Sequence, residues 1–117
     1  MNAYLWAVNY DSSLKNYWPI KNGDTSDLIN GKDLYSQHPV YAQDRFGNAN
    51  GSIRVSNSSN FYTIYGGGYF FNGDFTITAW VKAYDCGRYP RLIDFAGGPS
   101  SDNVIFALAQ TSSNCQP

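Results

Sequence analysis

Short runs of β-branched and aromatic residues, broken at close intervals by Asn, Asp and Gly, extend along the whole chain. Apolar residues rarely recur at helical spacing. Turn signals stand at Asn22-Gly23-Asp24, Asn30-Gly31, Gly47-Asn48, Asn50-Gly51, Gly66-Gly67-Gly68, Asn72-Gly73-Asp74 and Gly97-Gly98-Pro99. Short strands at this spacing predict an all-β sandwich or barrel. The expected strands are 17–20, 52–56, 61–65, 75–82, 90–95 and 104–110. Another, over 34–41, is interrupted by Pro39. Pro19 marks the first as an edge or a strand end. The polar stretch Asn57-Ser58-Ser59-Asn60 predicts a hairpin between 52–56 and 61–65.

The alternation is cleanest over 75–82. Phe75, Ile77, Ala79 and Val81 fall on one face; Thr76, Thr78, Trp80 and Lys82 fall on the other. The first face is expected to be core. In the last run Val104, Phe106 and Leu108 face away from Ile105, Ala107 and Ala109, so both faces are apolar. That pattern predicts a central strand covered on both sides.

Length and composition then narrow the class. The 117 residues fit one domain with a small core. Aromatics make up 17% and charged residues only 15%, so the surface must be built largely from Asn, Ser, Thr, Gly and Tyr. That palette suits β-structure in an extracellular setting. The net charge is −1 and no basic run occurs, which argues against nucleic acid and anionic membranes as partners. No apolar stretch reaches membrane-span length. Residues 1–10 lack a basic, then apolar, leader pattern; an extracellular protein would need its export segment elsewhere, making Met1 an internal start.

Three blocks carry a resemblance. Asp44-Arg45-Phe46-Gly47-Asn48-Ala49-Asn50-Gly51-Ser52-Ile53 is followed by Gly73-Asp74-Phe75-Thr76-Ile77-Thr78-Ala79-Trp80-Val81-Lys82, and Tyr17-Trp18-Pro19-Ile20 precedes them with Asp27 and Asn30-Gly31. In this order they resemble the laminin-G-like branch of the concanavalin-A-like lectin/glucanase superfamily, over roughly residues 14–110. The resemblance implies a jelly-roll sandwich of two antiparallel sheets that recognises carbohydrate or protein ligands, often with calcium, in extracellular proteins. It covers only the first part of that domain, so residues 1–13 are a flank and 14–117 a partial domain incomplete at its C-terminal side. Missing strands would leave edges open to dimerisation.

Enzymatic activity is not expected. The resemblance implies paired glutamates for the glucanase branch, and this chain contains no glutamate. Glycoside hydrolysis needs two carboxyls at a set separation, yet Asp94 is the only Asp inside an expected strand. His38, the sole histidine, stands before Pro39 without a nucleophile motif nearby. A hydrolase would have to depend on Asp94.

The candidate chemistry is therefore that of binding. An up-and-down strand order would gather loops 44–51, 66–74 and 97–103 at one end, with Asp44, Asn48, Asn72, Asp74, Asp102 and Asn103. These oxygens suit calcium; Asp and Asn also populate turns for backbone reasons alone. Trp80, Tyr62, Tyr65 and Tyr69 are candidates for stacking on a sugar, or for packing under a loop and at the core edge. Cys86 and Cys115 would meet at one end of the same strand order. A disulfide there closes a loop of about thirty residues; two free thiols, or partners in the missing part of the domain, are the alternatives. Gly66-Gly67-Gly68 lacks the residues of a phosphate cradle and reads as a connection. Asn50-Gly51-Ser52 and Asn57-Ser58-Ser59 are glycosylation acceptor patterns if the chain enters a secretory pathway. The leading expectation is a non-catalytic extracellular recognition module for a glycan or a protein, with calcium as candidate cofactor. The alternative is a structural piece of a larger multidomain protein, without a ligand site of its own.

Overall fold

The computed structural model describes residues 13–55, 62–64, 73–84, 91–95 and 104–107. The regular structure among them is all strand, with no helix, as the turn spacing predicts. Six short strands are β1 (Leu34–Tyr35), β2 (Tyr41–Ala42), β3 (Ser52–Ile53), β4 (Thr63–Ile64), β5 (Arg91–Phe95) and β6 (Val104–Ala107). They form three antiparallel pairs, β1 with β4, β2 with β3, and β5 with β6. The chain divides into two units, Met1–Asn72 and Gly73–Pro117.

In the first unit the pairs are nested. Tyr41 lies opposite Ile53 and Ala42 opposite Ser52, while further from the tip Leu34 lies opposite Ile64 and Tyr35 opposite Thr63. Between the two ladders the Arg54 amide donates to the Val40 carbonyl at 2.8 Å. The expected single run over 34–41 is thus two strands flanking Pro39, which has no N–H to give a ladder. The turn expected at 57–60 lies outside the described residues; the described ladders pair 52–53 with 41–42 and 63–64 with 34–35. The tip of the described inner pair is residues 43–51, where Asp44 organises the turn.

The expected strand over 17–20 is also corrected. Ile20 has φ 50°, a left-handed conformation that a β-branched residue rarely adopts. It ends any extended run before a tight turn, in which Lys21 and Asp24 form an antiparallel bridge. Asn22 and Gly23 between them have φ 54° and 77°, the positive pair that suits a type I′ turn. The Gly23 amide donates to the Asn50 carbonyl at 2.8 Å, tying this turn to the hairpin tip. A Cβ on Gly23 would meet the Tyr41 ring at 3.3 Å. Gly23→Ala is expected to lower stability by ~1–2 kcal/mol, from left-handed strain plus this contact. Gly31→Ala also has positive φ but meets nothing within 4 Å, so its loss should be smaller. Denaturant midpoints of the two variants check the order.

The first unit relies on polar organisation. No large side chain among the described residues is fully buried, and the one buried charged residue is Asp27, 6% exposed. Its Oδ1 accepts the amides of Tyr17 at 2.9 Å and Ile29 at 3.1 Å. Its Oδ2 accepts the Lys32 amide at 3.2 Å and Asn16 Nδ2 at 2.7 Å. Its own amide donates to Asp33 Oδ1 at 2.9 Å. Two more bonds close the same loop: Leu28 N–H to the Tyr17 carbonyl at 3.0 Å and Trp18 Nε1 to the Lys32 carbonyl at 2.8 Å. Buried polar groups need partners, and one carboxylate here supplies them to four donors.

In the second unit β5 and β6 match their expected runs. Arg91 lies opposite Ala107, whereas Ile93, Asp94 and Phe95 lie opposite Phe106, Ile105 and Val104. The shift leaves Leu92 as the extra residue of a bulge. On a regular strand Arg91 and Asp94 would point to opposite faces. The bulge brings them to the same side, where Arg91 Nη1 donates to Asp94 Oδ2. The expected covering of both faces of the last strand is corrected at Phe106, which is 54% exposed. The strand expected over 75–82 is corrected as well. Its residues join no described ladder, and Phe75, Ile77 and Val81 of the supposed core face are exposed. Alternation fixes which residues share a face; burial additionally requires a sheet packed against that face.

Candidate functional site

Hydrogen bonding at the hairpin tip favours the turn role of Asp44. Its Oδ1 accepts the amides of Phe46 at 2.8 Å and Asn48 at 2.9 Å, and its Oδ2 accepts Asn48 Nδ2 at 2.8 Å. The Asn48 side chain and these amides hold the Asp44 carboxyl below its usual range, against a smaller opposing effect of burial. The turn is close-fitting, because a Cβ on Gly51 would come within 2.9 Å of the Asp44 side chain. Calcium at Asp44 would compete with these donors. Asp74 is exposed and belongs to the second unit. Asn72, Asp102 and Asn103 lie outside the described residues. Among the described residues no group of three His, Cys, Asp or Glu side chains could hold a metal ion.

The aromatic candidates separate in the same way. Tyr62 is half-buried in the first unit and its hydroxyl donates to the Val40 carbonyl at 3.4 Å. Burial pushes this hydroxyl above its ordinary pKa, and Tyr41 adds to the rise. Tyr62 thus serves the hairpin that contains Val40 and Tyr41. Tyr65 and Tyr69 lie outside the described residues, as do Cys86, Cys115 and Asn57. Asn50 is exposed at φ 53°, and its carbonyl accepts the Gly23 amide, so its side chain is accessible on a fixed turn.

Trp80 is 82% exposed. It stands in a stretch that is exposed throughout, 73–84. Two positions on is Lys82, and two further on is Tyr84, itself 73% exposed. The Lys82 ammonium sits 4.8 Å from the centroid of the Tyr84 ring, a cation–π contact. Together they present two broad aromatic surfaces with an ammonium donor between them in sequence and Thr76 and Thr78 just before. Tyr84 was not among the sequence candidates. The signal for it was its even spacing from Trp80 and Lys82, carried one step past the expected strand end.

His38 is exposed and its amide donates to Ser36 Oγ at 3.3 Å. Asp94 is committed to its contact with Arg91. Among the described residues no helix is long and apolar enough to cross a membrane. Comparisons with protein-family models, with curated proteins and with solved structures found no match to this chain.

Proposed function

We propose that this chain is a non-catalytic recognition module for a carbohydrate, engaged through Trp80, Lys82 and Tyr84. The observation that carries the reading is the 82% exposure of Trp80. Leaving an indole in water forgoes a large apolar gain, which a stacked ligand restores. A pyranose offers an apolar C–H face for such stacking and hydroxyls around its rim. The Lys82 ammonium and the threonine hydroxyls are partners for those hydroxyls. The laminin-G-like resemblance points the same way and suggests an extracellular setting. It also suggests calcium, through Asp74, Asp102 and Asn103; at Asp44 it would compete with the turn bonds. No step of recognition is assigned to calcium.

The reading is tested by native electrophoresis of the full chain in gels containing soluble polysaccharides: glucan, mannan, galactan, xylan and glycol chitin. Retardation by at least one of them, unchanged by chelator, is the expected result. Migration unaffected by every polysaccharide, with and without calcium, would overturn it in favour of a structural module.

A further inference from the structure

Four Asn-Gly pairs stand in the chain, at 22–23, 30–31, 50–51 and 72–73. Glycine sets no Cβ beside its own amide nitrogen, so that nitrogen can close on the side chain of the preceding asparagine. We propose that Asn30 is a site of self-modification, where ring closure by the Gly31 amide converts the asparagine to isoaspartate and aspartate. In the first step the Gly31 nitrogen gives its proton to solvent base and bonds to Asn30 Cγ. The Cγ–Nδ2 bond breaks, ammonia leaves, and a five-membered succinimide remains. Water then opens the ring. Attack at Cγ breaks the new Cγ–N bond and leaves aspartate. Attack at the backbone carbonyl breaks the peptide C–N bond and leaves isoaspartate, with the chain now running through Cβ. Water is consumed, ammonia is released, and nothing is oxidised or reduced.

What holds the attacking nitrogen separates Asn30 from the other pairs. The Gly23 amide donates to the Asn50 carbonyl at 2.8 Å, and the Gly51 amide donates to the Asn48 carbonyl at 3.3 Å. Among the described residues no acceptor holds the Gly31 amide. Asn30 and Gly31 are both exposed, and a Cβ on Gly31 would meet nothing within 4 Å, so the ring has room to close. Asn72 of the fourth pair lies outside the described residues. The position of Asn30 also gives the change a consequence. Asp27 accepts the Ile29 amide through Oδ1 and the Lys32 amide through Oδ2, so residues 30–31 link two tied points. Isoaspartate adds a methylene to the backbone of that link, and the two amides then no longer reach one carboxylate at the same spacing. Plain aspartate keeps the backbone and the spacing. The inference is independent of the ligand reading, since it concerns a different segment from Trp80, Lys82 and Tyr84.

Incubation of the full chain in mildly alkaline buffer, followed by trypsin and tandem mass spectrometry, tests the site. Trypsin releases Asn22 and Asn30 together in the peptide 22–32, so their conversion is compared within one species. A hydrogen bond worth about 1 kcal/mol on the attacking nitrogen slows closure about fivefold, so early conversion at Asn30 should exceed that at Asn22 by about this factor. Asn50, whose following amide makes the longer bond, should fall between them. In concentrated urea, where these bonds are lost, the three rates should draw together. Conversion at Asn22 or Asn50 as fast as at Asn30 in the folded chain would overturn the proposal. So would a preference for Asn30 that persists undiminished in urea. For the consequence, the isoaspartate form, separated chromatographically, should unfold at lower urea than the Asn30→Asp variant. Equal midpoints would overturn the link to Asp27.

Discussion

Replacing Asp27 by alanine is expected to cost the first unit about 3–5 kcal/mol, enough to unfold a domain of ordinary marginal stability. The carboxylate is almost wholly buried and accepts from Tyr17 N, Ile29 N, Lys32 N and Asn16 Nδ2. Each is a hydrogen bond to a charged acceptor, and removing the acceptor leaves donors desolvated with nothing to bond. The loss spreads, because the same loop holds the Trp18 indole against the Lys32 carbonyl and Leu28 against Tyr17. Asp27→Asn keeps the shape and one acceptor but turns an NH₂ toward donors, so it should fall between wild type and alanine. Urea unfolding followed by far-UV circular dichroism gives the ranking. An alanine variant within about 0.5 kcal/mol of wild type would mean that the loop does not depend on this carboxylate.

The same group sets an acid limit. Burial alone would push the Asp27 carboxyl up, but the hydrogen bonds from Tyr17, Asn16, Ile29 and Lys32 together hold it below its ordinary value. A depressed folded-state value means that this stability is fully present above the unfolded value, near pH 4, and is lost as pH falls through the folded value. The urea midpoint should therefore be nearly flat with respect to Asp27 from neutrality to about pH 5, and should drop below about pH 4. The Asp27→Asn variant should lack that part of the drop. Asp24 and Asp44 are held low in the same sense, by the Ser26 hydroxyl and the Asn48 amide respectively, but both are solvent-screened and contribute little.

The second large effect is on binding. Trp80→Ala should raise the dissociation constant for the retarding polysaccharide by about thirtyfold, equivalent to ~2 kcal/mol, as expected for an aromatic anchor. Its urea midpoint should hardly change, because an exposed side chain contributes little to folding. Trp80→Phe should recover part of the affinity, since a smaller ring still stacks. Tyr62→Phe removes a hydroxyl engaged with the Val40 carbonyl and should alter stability more than affinity. Affinity electrophoresis over a range of polysaccharide concentrations separates these cases. Unchanged retardation of Trp80→Ala would remove Trp80 from the site.

Several parts of this arrangement were legible in the sequence for identifiable reasons. β5 and β6 alternate locally and are separated by Gly97-Gly98-Pro99, so their pairing needs only local information. Pro39 foretold the break between β1 and β2. The turn at 43–51 was legible as polar turn chemistry, but what fixes it is the set of bonds that Asp44 makes to residues 46 and 48. Residues 75–82 show the limit of periodicity, since a period of two assigns faces without saying what covers them. Asp27 was visible as an aspartate in a turn-rich stretch and as part of the resemblance, but not as a buried residue. Its burial depends on partners as far as eleven residues away in the chain, a separation that local turn chemistry does not encode. Ile20 was read as extended because β-branched residues favour strands, and the tertiary demand of the following turn overrode that preference.

The central claim is that Trp80 is the ligand-contacting indole, and the most direct measurement is an ¹H–¹⁵N spectrum of the indole Nε–H groups during titration with an oligosaccharide of the retarding polysaccharide. The Trp80 resonance is predicted to shift progressively to saturation. The Trp18 resonance, whose Nε1 is bonded to the Lys32 carbonyl, should stay in place. Saturable binding that moves Trp18 and leaves Trp80 unmoved would contradict the account.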